Sequence, residues 1–449
     1  MNMRKLLLLI SILMVASQLS WAQTPVAVVP AGQAVTFSKP RPVFPASAVP
    51  AGEYRSHVWV TKPMVGFKQN GVIRPAASVP CNQNLGSGGT PPFGFCPNGL
   101  QSAYQTASIV GANGGSGMTI GITDAYNDPD IASDLNTFDS LFGLPLCTTG
   151  NGCLKIVNEH GAASPLPGNA PNRGNSWAIE ISLDVEYAHA MAPNAQILLV
   201  EANSPSGDDL FTAVDTAAGL ADVVTNSWGG GEFSGETDYD TCSIFPGECF
   251  DLSKPIFFSS GDSGAPGEYP CYSPDVTCVG GTHLNVNASL QRTTETGWSD
   301  SGGGVSLFEA TPSYQSANGV NFGARATPDI AADADPNTGV WITDTYDIPA
   351  DSAVCCVGGT SLATPLSAAI YADVDTARVS FGKAKFGGPA GGIFLDNDLY
   401  KVYNSNYIYF FYDVTVGNNG FAAGVGFDLV TGIGVSKGPA MGNRFFGLP

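Results

Sequence analysis

Four short runs between residues 118 and 260 have apolar centres: 118–123 (MTIGIT), 196–201 (QILLVE), 221–226 (ADVVTN) and 255–260 (PIFFSS). A strand with one wet face alternates in polarity, whereas a strand covered on both faces reads as an unbroken apolar run. Segments of helical character, 130–142, 176–191 and 208–218, fall between these runs. Continuous apolar strands alternating with helices predict an α/β fold with a mostly parallel central sheet and helices on both faces. Ligands of such sheets sit at the carboxyl ends of the strands, so the loops after Asn226 and Ser260 are expected to wall a site. No internal repeat interrupts the pattern. The stretch 96–449 is long enough for a single large domain with a substantial core.

The first 22 residues read as a signal peptide. Arg4 and Lys5 precede an apolar run from Leu6 to Val15, and Ser20 and Ala22 are small residues suited to cleavage after Ala22. A secreted, extracellular protein with no membrane attachment after cleavage is expected. Ten cysteines fit an oxidising compartment, and eight fall in close pairs: Cys81/Cys96, Cys147/Cys153, Cys242/Cys249 and Cys271/Cys278. No spacing suits zinc. Adjacent Cys355 and Cys356 are too close for ordinary bridge geometry, so bonds to other cysteines are expected there, with a strained bond between the two that stiffens or redox-gates the loop before Ser361 as the alternative. Residues 23–95 are Pro-rich and read as an N-terminal extension or short propeptide without a core of its own; 56–61 (SHVWVT) is β-like. The 39 Asp and Glu outnumber the 19 Lys and Arg, a formal net charge of −20 that repels phosphate backbones and argues against a nucleic-acid partner. A monomer is expected.

The segment 358–365 (GGTSLATP) puts Ser361 between a Gly-rich turn and an Ala-rich helical run. Free N–H groups and the helix dipole at such a position can stabilise a tetrahedral oxyanion, although an N-cap serine is the ordinary alternative. A nucleophilic serine needs a base. Among His57, His160, His189 and His283, His160 has a glycine after it as in subtilisins, but a Pro/Gly loop replaces the helix that should follow. Helix 176–191 offers another base. Glu180 and Asp184, four apart, share one face among Trp177, Ile179, Ile181, Leu183 and Val185. Two like charges on a buried face are costly unless they share a proton. One carboxylate can then take the serine proton while the other orients it, below the pH range of imidazole. A solvated acidic stripe, or carboxylates capped by arginines, is the alternative. Asp262, in 259–264 (SSGDSG), follows an apolar strand; an ordinary turn aspartate and a protonated oxyanion donor both fit.

In their order along the chain these segments resemble the sedolisin family of serine-carboxyl peptidases, whose fold is subtilisin-like. The similarity runs from about residue 98 to 434 and includes 226–229 (NSWG), 279–282 (VGGT) and 142–145 (FGLP). It implies a peptidase acting on polypeptides unfolded at acid pH, with Ser361 as nucleophile, Glu180 and Asp184 as the base pair and Asp262 in the oxyanion hole. Substrate is expected to lie as an extended strand along residues 226–229. The resemblance further implies one structural calcium ion in the segment 413–434, held by the side chains of Asp413 and Asp428 and the carbonyls of Val414, Gly424 and Gly426. Phe427 stands where the family usually has Trp. The family's long folded prodomain has no counterpart in 23–95. A non-catalytic calcium- or protein-binding member of the same fold, and a subtilisin-type peptidase using His160, are the competing expectations.

Overall fold

A computed structural model of the chain describes residues 39–45, 49–50, 52–61, 68–69, 72–73, 81–85, 92–173, 176–240, 250, 254–348, 353–387, 395–438 and 440–441. The expected signal peptide, most of the Pro-rich stretch and the Cys242/Cys249 pair lie outside them.

The apolar runs become strands of one ten-stranded sheet. In chain order these are β1 (Thr119–Ala125), β2 (Leu154–Asn158), β3 (Gln196–Ala202), β4 (Val223–Asn226) and β5 (Ile256–Ser259). They are followed by β6 (Thr277–Val286), β7 (Arg292–Gly297), β8 (Ile330–Asp333), β9 (Phe411–Tyr412) and β10 (Val435–Ser436). The order across the sheet is β9-β10-β8-β6-β5-β4-β1-β3-β2, with β7 folded back on β6. Only the β9 and β7 pairings are antiparallel; the rest are parallel, as the unbroken apolar runs require.

Alternate side chains of these strands feed two cores. Ile120, Ile122, Ile197, Leu199, Val223 and Phe257 join one that also holds α1 (Ala178–Met191) and α3 (Thr360–Ser380). Leu198, Val200, Val224 and Phe258 join the other, with α2 (Gly207–Leu220). Burial on both faces is therefore physical, and α1 is buried around its whole circumference, every residue included. Register aligns Thr123, Asn226 and Phe258. The residues next in line, Asp124, Ser227 and Ser259, consequently emerge together at the carboxyl ends of three neighbouring central strands.

The described cysteines pair within their loops as expected: Cys81–Cys96, Cys147–Cys153 and Cys271–Cys278. Cys355 and Cys356 are bonded to each other, the alternative to bonds with other cysteines, whose neighbouring described members are already committed locally.

Candidate active site

Ser361 is the second residue of α3, and its hydroxyl donates to Glu180 Oε2 of α1 at 2.9 Å. The helices pack against each other on one face of the sheet, which is what brings residues 181 positions apart into contact. Pro365 lies one helical turn after Ser361 and has no N–H to give, so the Ser361 carbonyl loses its intrahelical donor. Ser227 Oγ, at the end of β4, lies 3.2 Å from that freed carbonyl and donates to Asp184 Oδ1 at 2.8 Å. One serine thus links the nucleophile's helix to the second acid.

Glu180 and Asp184 are both fully buried, which rules out a solvated stripe. A third acid, Asp124 from the carboxyl end of β1, joins them. Burial, then the charges of Asp184 and Asp124, raise the Glu180 pKa well above the carboxylate range, against the hydrogen bond from Ser361. Burial likewise raises Asp184, opposed by Ser227 and Glu180, and raises Asp124, assisted by Asp184 and Glu201. Three carboxyls in one dry cluster cannot all ionise. Glu180 and Asp184 hydrogen-bond each other, so a proton shared between them relieves their repulsion, and Ser56 from the strand over the site also hydrogen-bonds Glu180.

Asp262 follows β5 in the turn over Ser361. Its Oδ1 accepts from Thr360 N at 2.8 Å and from Thr360 Oγ1 at 2.7 Å, while Oδ2 is buried and has no hydrogen-bond partner among the described residues. Burial raises this carboxyl well above its usual range, the Thr360 hydrogen bonds and Arg55 opposing. A protonated Oδ2 is a free donor.

No described histidine serves Ser361. His160 is 71% exposed and faces Glu159 at 3.5 Å, so the expectation of a His160 triad is corrected: Glu180 holds the hydroxyl instead. His189 meets Asp139 and His283 meets Asp335. His57 Nδ1 is 2.6 Å from Ser259 Oγ, and its Nε2 is 2.9 Å from Glu268 Oε2.

The position of His57 was not readable in the sequence. Residues 53–61 lie extended through the cleft over Ser361. Arg55 and Ser56 pair antiparallel with Gly229 and Trp228, and His57 N donates to the Ser227 carbonyl at 3.1 Å. Beyond His57, Trp59 and Val60 pair antiparallel with Gly358 and Val357, just before the nucleophile. The His57 carbonyl sits against Gly359, whose φ of +106° suits glycine; a Cβ there would strike that carbonyl and lie 2.6 Å from Asp262 Oδ2. The expected substrate path along 226–229 is thus occupied by the chain's own residues, and Ser361 is fully buried beneath them.

In the tail, Gly424 N donates to Asp428 Oδ2 at 2.9 Å and Gly426 N to Asp413 Oδ1 at 3.2 Å, gathering both acids on one loop. The Val414, Gly424 and Gly426 carbonyls accept no hydrogen bond among the described residues. Two carboxylates with unengaged carbonyl oxygens fit the hard-oxygen preference of calcium.

The subtilase family model (peptidase S8) matches residues 157–385. Kumamolisin from Bacillus sp. (strain MN-32) is 30% identical over 382 residues, covering 76% of this chain and 62% of its own length. Tripeptidyl-peptidase 1 of Homo sapiens is 28% identical over 401 residues, 78% of this chain and 64% of its own. The chain therefore spans less than two thirds of either relative. A structure of Pseudomonas sedolisin, a serine-carboxyl proteinase complexed with two molecules of pseudo-iodotyrostatin, superposes with a TM-score of 0.61 at 25% identity, covering 77% of this chain and 95% of that one. The chain belongs to the subtilase family and, within it, to the sedolisins.

Proposed function

We propose that the chain is a secreted, acid-acting serine-carboxyl endopeptidase of unfolded polypeptides. One observation carries the reading: the buried Ser361 hydroxyl donates to a carboxylate, Glu180, at 2.9 Å, where a neutral-pH serine peptidase would present an imidazole. Ser361 Oγ attacks the scissile carbonyl as Glu180 takes its proton. Asp184, held by Ser227, shares the resulting charge and keeps Glu180 aimed. The carbonyl oxygen becomes an oxyanion between protonated Asp262 and the Ser361 N–H, which has no acceptor among the described residues, whereas Thr360 N and Leu362 N are already bonded. Glu180 returns the proton to the leaving amine, and water releases the acyl group by the reverse sequence.

Endo-cleavage is favoured over tripeptide release because residues 53–57, a run longer than three, pair with the cleft on the amino side of the reacting position. A calcium ion on Asp413, Asp428 and the three carbonyls would brace the tail loop and take no part in the chemistry. The test is digestion of an acid-unfolded protein near pH 4, with products mapped by mass spectrometry. Internal cuts that vanish in Ser361→Ala are expected. Stepwise tripeptide release would overturn the endopeptidase reading, and an intact substrate the peptidase reading.

A further inference from the structure

The 259–268 loop grips two basic side chains at once. Arg55 and His57 are two apart on an extended strand and so share a face. Glu268 receives both: Oε1 pairs with Arg55 Nη2, and Oε2 lies 2.9 Å from His57 Nε2. Ser263 Oγ adds a contact to Arg55 Nη2 at 3.1 Å, and Ser259 Oγ one to His57 Nδ1 at 2.6 Å. Among the described residues, every hydrogen-bond partner of the Glu268 carboxylate comes from this visiting strand. Burial would raise the Glu268 pKa, but His57 and then Arg55 outweigh it and bring the carboxyl down to about 2. Burial lowers the His57 pKa in turn, so Arg55 is the permanent cation and His57 adds its charge only in acid. A buried carboxylate left without a cation is strongly disfavoured, so whatever replaces the strand is favoured by bringing basic groups of its own.

We propose, on the footing of the peptidase reading above, that Glu268 is the specificity-determining residue of the cleft. It selects polypeptides with a basic residue on the amino side of the cut bond and another two positions before it. The first such sequence it meets is the chain's own Arg55-Ser56-His57. The bond so presented is His57–Val58, because the strand pairs with 228–229 before it and with 357–358 after it, and the His57 carbonyl lies beside Gly359 and Asp262. Ser361 Oγ bonds to the His57 carbonyl carbon. The His57–Val58 C–N bond breaks, and the Val58 nitrogen receives the serine proton through Glu180. Water then hydrolyses the ester, leaving a His57 carboxyl and restoring Ser361. Val58 becomes a new N-terminus.

Two readouts test this. Incubated near pH 4, the wild-type chain should acquire an N-terminus at Val58, while Ser361→Ala stays intact and Arg55→Ala/His57→Ala is processed more slowly. Quenched peptides Tyr-Arg-Ser-His-Val-Trp and Tyr-Ala-Ser-Ala-Val-Trp should then differ in kcat/KM by about tenfold or more, the scale of hydrogen bonds to a buried charge. Glu268→Gln, of the same shape, should bring the two rates together. Equal cleavage of both peptides by the wild type, or a processed N-terminus elsewhere, would overturn the role of Glu268 while leaving the peptidase reading intact. Absence of any Ser361-dependent cleavage would remove both.

Discussion

Replacing Asp262 separates a structural turn aspartate from an acid that donates to the oxyanion. Its Oδ1 is committed to Thr360, whereas Oδ2 is buried, without a hydrogen-bond partner among the described residues, and next to the His57 carbonyl. Burial is the largest influence on its pKa and raises it; Thr360 and Arg55 pull it down and Glu268 adds to the rise. The donor is therefore present at acid pH and lost as pH climbs through the raised pKa. Asp262→Ala removes one oxyanion donor, which lowers kcat by about 10²–10³, or about 2.7–4 kcal/mol. It also strands the Thr360 N–H and hydroxyl, costing about 1–3 kcal/mol of stability for a buried group left unpaired. Asp262→Asn keeps an acceptor for Thr360 and offers an amide N–H that does not titrate. The assay is kcat/KM on a quenched peptide from pH 3 to 8. The Asn variant should retain more activity than Ala and lose part of the decline toward neutral pH. An Ala variant within about threefold of wild type, or an Asn variant with an unchanged alkaline limb, would refute the oxyanion role.

Stability should itself be greatest in acid. Burial raises Asp128 to about 7, Asp134 to about 6 and Glu201 to about 8, so the folded chain keeps protons that the unfolded chain releases near pH 4. Each such group removes about 1.4 kcal/mol per pH unit as pH rises through that window, and Tm by calorimetry should fall between about pH 4 and 8. Glu268, held at about 2, acts oppositely only below about pH 4; a Tm that rises toward neutrality would contradict the sign. Chelation of calcium should lower Tm in the wild type and have little effect in Asp428→Asn. His160→Ala, at an exposed loop position, should leave kcat/KM unchanged.

The parts of the site carried by local pattern were legible in the sequence. Glu180 and Asp184 lie one turn apart on an apolar helix, and Ser361 and Asp262 sit in glycine-rich turns at element ends; the structure brings Ser361 to Glu180 and Asp262 to Thr360. Asp124 was not legible as a member of the site, and Ser227 was legible only as part of a wall and not as the link to Asp184, because only the alignment of β1 with β4 brings their strand ends together. An acid closing an otherwise apolar strand was the available signal for Asp124. Residues 56–61 carried a faint β pattern, yet the partners of this strand at 228–229 and 357–358 are far along the chain, and strand pairing leaves no mark of distance in sequence. Glu268, within a Gly/Pro-rich loop, reads locally as a solvated turn residue; only the arrival of Arg55 and His57 reveals a buried charge.

The most direct test of a carboxylate base for Ser361 is the pH–rate profile of acid-unfolded protein digestion between pH 3 and 8, comparing wild type, Ser361→Ala and Glu180→Gln. An acid optimum in the wild type, lost in both variants while their acid-pH Tm stays near wild type, is the predicted result. Activity that survives Glu180→Gln and peaks near neutrality would contradict it and require a different base.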